Sequence, residues 1–152
     1  MINVAGQHEY REGSSSLSNP LEAAYAVHLV TALSAIIKPQ NQIAVICIYL
    51  DQRALVRSLC KKAGLNDVVV TTVDSSQGKE WEAVVVLTTK TSNDASFVSN
   101  RCRANVALSR AKQGTFVIGN VKWLRTESRF WKGIENHVRV KGMVIEEKTA
   151  RK

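Results

Sequence analysis

Three polar clusters in this 152-residue chain combine residue types suited to anion and nucleotide chemistry. The first is Tyr49-Leu50-Asp51-Gln52-Arg53, an aromatic ring followed closely by an amide and a guanidinium. The second spans Thr71 to Glu80. Thr71, Thr72 and Ser75 carry hydroxyls that suit phosphate oxygens, Gly78 permits a tight turn after Gln77, and the Glu80 carboxylate accepts in two directions. The third runs from Arg103 through Asn105-Val-Ala-Leu-Ser to Arg110 and Lys112. An arginine reaching a transferring phosphoryl group stabilises its spreading negative charge, an effect worth roughly 10³–10⁵ in rate.

The complementary half of a nucleotide site is missing from the sequence. No G-x-x-x-x-G-K-[ST] string occurs, and no acidic pair closes a strand as a magnesium ligand set would. Gly78-Lys79 is followed by Glu80, where a phosphate loop requires Ser or Thr. Backbone amides to cradle the β- and γ-phosphates must then come from elsewhere. No metal site is expected: Cys47, Cys60 and Cys102 are widely spaced, and His8, His28 and His137 have no i, i+4 partner. Odd, unpaired thiols read as those of a reducing compartment, cytoplasm or nucleus. The start has no basic segment followed by an apolar one, so it is not read as a secretory signal. No apolar run approaches the ~18 residues of a membrane span. The net charge of +8 favours acidic partners, nucleic acid above all. Part of that excess is terminal, in Lys141, Lys148, Arg151 and Lys152.

The elements that must hold these clusters alternate between strand and helix. Ile2–Val4 reads as a short strand, followed by a polar loop to Ser18. Asn19 as cap, Pro20 at the first position and Glu22 at capping-box spacing open a helix that runs to about Ile37. Ile43–Ile48 is an unbroken apolar run, the mark of a parallel strand covered on both faces. A helix over Asp51–Ala63 closes at Gly64. Strands follow at Val68–Val73 and Ala83–Thr89, then a helix around Arg103–Ala111 and a strand over Thr115–Asn120. Val121–Val138 reads as one helix with Trp131, Ile134 and Val138 inward, and Met143–Glu146 as a last short strand. This is one α/β domain with a mostly parallel sheet and helices on both faces. Ligand residues in such sheets gather beyond the carboxyl ends of the strands, where all three clusters are expected.

Val73-Asp-Ser-Ser-Gln-Gly-Lys-Glu-Trp-Glu to Leu87 resembles motif five of the superfamily 1 helicases, and Asn105-Val-Ala-Leu-Ser-Arg-Ala-Lys112 resembles motif six. Ile43–Gln52 is similar to motif four with its Tyr-x-x-Gln turn. Ser18–Val27 resembles the Asn and Glu-Ala pattern before it, and Thr115–Asn120 with Trp123, Leu124 and Trp131 resembles the closing strand and helix. The resemblance covers nearly the whole chain in order and is nearest to the up-frameshift group of RNA and DNA helicases. It implies the second RecA-like domain of the helicase core, a P-loop NTPase fold lacking its own phosphate loop. ATP with Mg²⁺ would lie at the interface with a separate first RecA-like domain, and single-stranded RNA or DNA would cross both domains.

By the same resemblance Arg110 is the arginine finger. Tyr49, Gln52, Gln77, Gly78, Glu80 and Arg103 would serve ATP: Tyr49 near the base, Glu80 on the ribose, and Gln77-Gly78 coupling nucleotide state to grip on the strand. Thr71, Thr72 and Ser75 would face nucleic acid, although Thr also simply favours strands. Arg53 supports the Tyr49 turn or is a plain helix-surface charge. Trp123 and Trp131 read as core rather than as base-stacking platforms. Three positions depart from the family pattern: Lys112 and Cys102 stand where arginines are usual, and Ile48 where proline is. The implied function is the second motor domain of an ATP-dependent helicase, monomeric and inactive by itself. The alternative is a catalytically inactive nucleic-acid-binding or scaffolding module on the same fold.

Overall fold

The computed structural model describes residues 1–146, so the basic tail through Lys152 lies outside the described residues. Strand β1 is Ile2–Asn3, and a small antiparallel ribbon follows: β2 (Glu9–Tyr10) pairs with β3 (Leu17–Ser18) inside what the sequence reads as loop. Then come α1 (Pro20–Ser34), β4 (Ile43–Cys47), α2 (Leu50–Lys62), β5 (Val69–Thr72), β6 (Trp81–Leu87), α3 (Arg101–Leu108), β7 (Ala111–Gly119), α4 (Val121–Glu127), α5 (Arg129–Val140) and β8 (Ile145–Glu146). Six strands form one sheet in the order β5-β4-β6-β7-β1-β8, and every pairing is parallel. Among the described residues, no helix is long and apolar enough to cross a membrane.

Period-two alternation splits the apolar strands between two cores. On one face Ile43, Val45, Cys47, Val85 and Leu87 meet Ala23, Ala26 and Val30 of α1 and Val56 and Cys60 of α2. On the other, Ala44, Ile46, Val84, Val86 and Val117 meet Ala104 and Ala107 of α3, Leu124 of α4 and Trp131 of α5. Every residue of β4 is buried, which is why its sequence shows no alternation. Burial pushes the Cys47 thiol far above its ordinary range, so it is an inert core group.

Several element boundaries differ from the sequence reading, each for a physical reason. α1 ends at Ser34, three residues short of Ile37. α3 spans Arg101–Leu108, because Asn100 accepts from the Arg103 amide and starts the helix early. It stops before Ala111 because β7 begins there, paired with Trp81 of β6. Arg110 therefore sits between helix and strand, not on a helix. The helix expected over Val121–Val138 is two helices. Ser128 turns extended and its hydroxyl accepts from the Trp131 amide at 3.2 Å, capping α5 afresh.

The opening of α1 also differs in its partners. Asn19 caps as expected, accepting from the Glu22 amide at 3.2 Å. The Asn19 amide, however, donates not to Glu22 but to Gln52 Oε1 at 2.8 Å, and Gln52 Nε2 donates back to the Asn19 carbonyl at 3.1 Å. Glu22, fully buried, accepts instead from Asn19 Nδ2 at 2.7 Å and from the Thr89 amide at 2.9 Å. Four residues from three distant segments thus close one network beneath the carboxyl end of the sheet.

Candidate functional site

The carboxyl ends of β4, β5 and β6 carry the first group of site residues. Tyr49 ends the turn after β4, and its ring lies 5.2 Å from that of Phe97, centroid to centroid. The Arg103 guanidinium stacks 4.3 Å over the Phe97 ring, a cation–π contact that fixes its fork. The Tyr49 hydroxyl is buried without a hydrogen-bond partner. Burial, then the neighbouring Tyr10 and Asp94, push its pKa up to about 12 against the pull of Arg103, so it stays a neutral donor. Tyr49 and Phe97 edge a groove of about 400 Å³ that also takes in Tyr10, Leu50 and Lys90. Tyr10, Leu50 and Phe97 are all exposed there, an unusual gathering of large apolar side chains around a cation. Phe97 is the member the sequence reading missed. Only its aromatic type, alone in a polar Ser- and Asn-rich loop, could have flagged it.

Gln52 belongs to this end but presents nothing to solvent. It is completely buried with both polar atoms bonded to the Asn19 backbone. As built, it clamps the start of α2 to the start of α1. At β5, Thr71 is buried, while Thr72 and the exposed Ser75 share a hydrogen bond of 3.2 Å. Of the three hydroxyls expected to face nucleic acid, Thr72 and Ser75 are reachable and Thr71 is not.

The second group lies at the opposite end. Glu80 precedes β6 and Arg110 precedes β7, and the Trp81 amide donates to the Arg110 carbonyl at 3.0 Å. That bond sets the two turns side by side at the amino edge of the sheet. Arg110 Nη2 donates to Ser109 Oγ at 3.0 Å, while its Nε is buried with no partner. Among the described residues, Glu80 and Arg110 form no ion pair; Glu80 is exposed and Arg110 half-buried. Lys112 instead lies 4.0 Å from Glu82.

The expectation that all three clusters share the carboxyl edge is therefore corrected. Tyr49 and Arg103 stand near the level of Leu87, whereas Glu80 and Arg110 flank Trp81, six residues down the same strand. At ~3.3 Å per residue the ends are roughly 20 Å apart. The segment from Val73 to Glu80 joins them. It leaves the carboxyl end of β5 through a 3-10 turn at Asp74–Ser76, then descends to β6. Gly78 takes a φ of 75° on the way, a conformation that only glycine adopts freely. Trp131 is core as expected, fully buried with its indole donating to the Val98 carbonyl at 2.9 Å. Trp123 packs partly buried against the same cluster.

Comparison with known proteins gives concordant matches. Residues 1–122 match a family model described as an AAA domain. The chain is similar to Regulator of nonsense transcripts 1 of Dictyostelium discoideum, at 32% identity over 95% of this chain and 11% of the relative. It matches the Caenorhabditis elegans protein of that name at 34% over 95% of this chain and 14% of the relative. It matches the ATP-dependent helicase NAM7 of Saccharomyces cerevisiae at 30% over 93% and 15%. The chain thus spans less than a sixth of the length of each of these relatives. Among solved structures, the C-terminal domain of a possible DNA helicase from Lactobacillus plantarum WCFS1 superposes with a TM-score of 0.58. That match covers 86% of this chain and 81% of the other at 14% identity, a likeness of fold.

Proposed function

Because the chain belongs to the AAA domain family as an up-frameshift-like superfamily 1 helicase domain, we propose that it is the second motor domain of an ATP-dependent helicase. In this reading the amino edge serves the nucleotide and the carboxyl edge serves the strand. A separate first domain binds ATP with its Mg²⁺. When the two domains close, Arg110 reaches the γ-phosphate and Glu80 accepts from the ribose. The observation that carries this is the Trp81–Arg110 backbone bond, which ties the motif-five and motif-six turns together while both charged side chains stay unpaired. Among the described residues, the Arg110 guanidinium carries no ion pair that a phosphate would have to displace.

With the two ends separated, this reading gives Tyr49 and Arg103 to the nucleic acid rather than to the nucleotide. A base can stack on the Phe97 and Tyr49 rings, with Lys90 and Arg103 near its phosphate and with Thr72 and Ser75 on the adjacent strand end. Gln77 and Gly78 sit on the one segment that runs between the two ends. Any movement at Glu80 on ATP binding or release is passed along it to Ser75. That continuity is a physical basis for coupling hydrolysis to grip on the strand.

The test compares ATP turnover by the 152-residue chain alone with turnover when a first RecA-like domain of the same parent protein is joined to it. The chain alone should show none above background, with or without polynucleotide, and the joined protein should be stimulated by single strands. Turnover by the rigorously purified chain alone, or a joined protein that never hydrolyses ATP, would overturn the reading.

A further inference from the structure

The junction of α4 and α5 at Ser128 carries a groove of about 550 Å³ lined by Lys122, Arg125, Arg129 and Lys132. All four cations are exposed. Lys122 and Arg125 are three residues apart on α4, and Arg129 and Lys132 three apart on α5, a spacing that sets each pair on one helix face. A single acid, Glu127, shares the lining. Arg125 is steadied from beneath: its Nε lies 3.5 Å from the carboxylate of Glu135, a buried acid that also pairs with Arg139. Lys122, Arg129 and Lys132 form no ion pair among the described residues.

The helices do not need these charges to pack. Val121, Leu124 and Trp131 make their buried contacts. Four like charges around one groove repel each other, a cost that an anionic ligand removes. The rest of the lining is Thr126 and Ser128, with no apolar side chain. A protein partner would find no apolar centre to bury there, whereas a phosphate backbone needs only cations and hydrogen-bond donors.

We propose that the α4–α5 groove is a second backbone-binding surface for single-stranded nucleic acid, with Lys122, Arg129 and Lys132 neutralising phosphates beside a pre-set Arg125. The inference rests on the nucleic-acid reading above but concerns a different surface. Thr72 belongs to β5 at one edge of the sheet, while α4 packs against β1, four strands along. At ~4.8 Å per strand the two contacts lie roughly 20 Å apart, so one strand of sufficient length touches both.

The experiment titrates a labelled oligouridylate with the wild-type chain, with the triple variant Lys122→Ala/Arg129→Ala/Lys132→Ala, and with Thr72→Val/Ser75→Ala, over a range of salt. Circular dichroism should show all three equally folded, because the groove residues are exposed. Each neutralised phosphate contributes about −0.7 to the slope of log K against log salt, so the triple variant should flatten it by about 2 and weaken low-salt binding about tenfold or more. If the triple variant keeps the wild-type slope and affinity while Thr72→Val/Ser75→Ala loses binding, the groove is wrong and the helicase reading stands. If the wild type binds no oligonucleotide, both fall. If the triple variant loses only an interaction with a polyglutamate peptide, the groove serves an acidic protein segment and the proposal is overturned.

Discussion

The carboxyl group of Glu22 accepts the backbone N–H of Thr89 at 2.9 Å, across 67 residues of sequence. Glu22 opens α1 and Thr89 begins the segment after β6 that carries Lys90 and Phe97. Thr89 holds a φ of 67°, a left-handed conformation that is costly for a β-branched residue. The bond to Glu22 and the donation from Asn19 Nδ2 to the Thr89 carbonyl at 3.1 Å hold it there. The aromatic groove thus depends on a fully buried acid.

That acid makes stability depend on pH. Burial raises its pKa from an ordinary 4.5 to about 8, with the Thr89 N–H pulling the other way. Between those values the folded chain holds a proton that the unfolded chain has released. The stabilisation is therefore complete below about pH 4.5 and is lost as pH rises toward about 8. Melting temperature should fall across that window in the wild type. In Glu22→Gln, which cannot titrate, the fall should be shallower, on a baseline lowered by about 1–3 kcal/mol because the new amide faces a donor. Parallel pH profiles for the two proteins would exclude Glu22 as the source.

How much of this was legible beforehand follows from the range of each interaction. The unbroken apolarity of Ile43–Cys47 announced a two-face-buried strand, and Asn19-Pro20 announced a helix start, because both signals are local. The partner of the Asn19 amide is Gln52, 33 residues away, and no capping-box spacing can reveal it. Phe97 entered the candidate groove only when folding set it beside Tyr49 and beneath Arg103. The end of α3 was misread because helix and strand both tolerate Ser109–Gln113. What decides it is the pairing with β6, Trp81 against Ala111 and Ala83 against Gly114, to which Glu82 Oε2 adds by accepting from Gln113 at 2.7 Å. The motif strings mark where the candidate residues cluster along the chain, but not that they stand at two ends of the sheet.

Gly119 shows how tightly the carboxyl edge is packed. A Cβ there would lie 1.9 Å from Thr88 Oγ1 and 3.2 Å from Thr88 Cβ, and Thr88 is fully buried. Gly119→Ala should destabilise the chain by about 1–3 kcal/mol in chemical denaturation through overpacking. Thr88→Ala removes the closest atom, so the double variant should recover part of that loss. Strictly additive effects would mean that the clash is absorbed elsewhere.

The aromatic groove yields a prediction that separates strand from nucleotide. Phe97→Ala removes the ring beneath Arg103 and beside Tyr49. Loss of one stacking platform is worth about 1–3 kcal/mol, so oligonucleotide affinity should drop between about fivefold and a hundredfold. ATP affinity of the joined two-domain protein should stay unchanged. Tyr49→Phe deletes a buried hydroxyl with no partner, so the fold should be as stable or slightly more so. If Phe97→Ala weakens ATP and spares the strand, the assignment of the two ends must be reversed.

Arg110 gives the sharpest test. In the joined two-domain protein, Arg110→Ala should leave ATP affinity within roughly tenfold, because the first domain holds most of the nucleotide, while hydrolysis falls about a thousandfold or more. The asymmetry arises because a finger acts on charge that develops in the transition state rather than on charge already present. Arg110→Lys should recover only part of the rate, since an ammonium cannot span two phosphate oxygens with a planar fork. Lys112→Ala should do far less. Its ammonium lies near Glu82 rather than free, so the comparison separates the finger from general basicity at the start of β7. Folding is not the confounder, because the Arg110 group that holds the motif-five turn is the backbone carbonyl bonded to Trp81, which every side-chain variant keeps. Single-turnover hydrolysis measured beside nucleotide affinity decides the matter. Near wild-type hydrolysis by Arg110→Ala would remove the finger assignment, and an intact joined protein that hydrolyses no ATP would favour an inactive nucleic-acid-binding module.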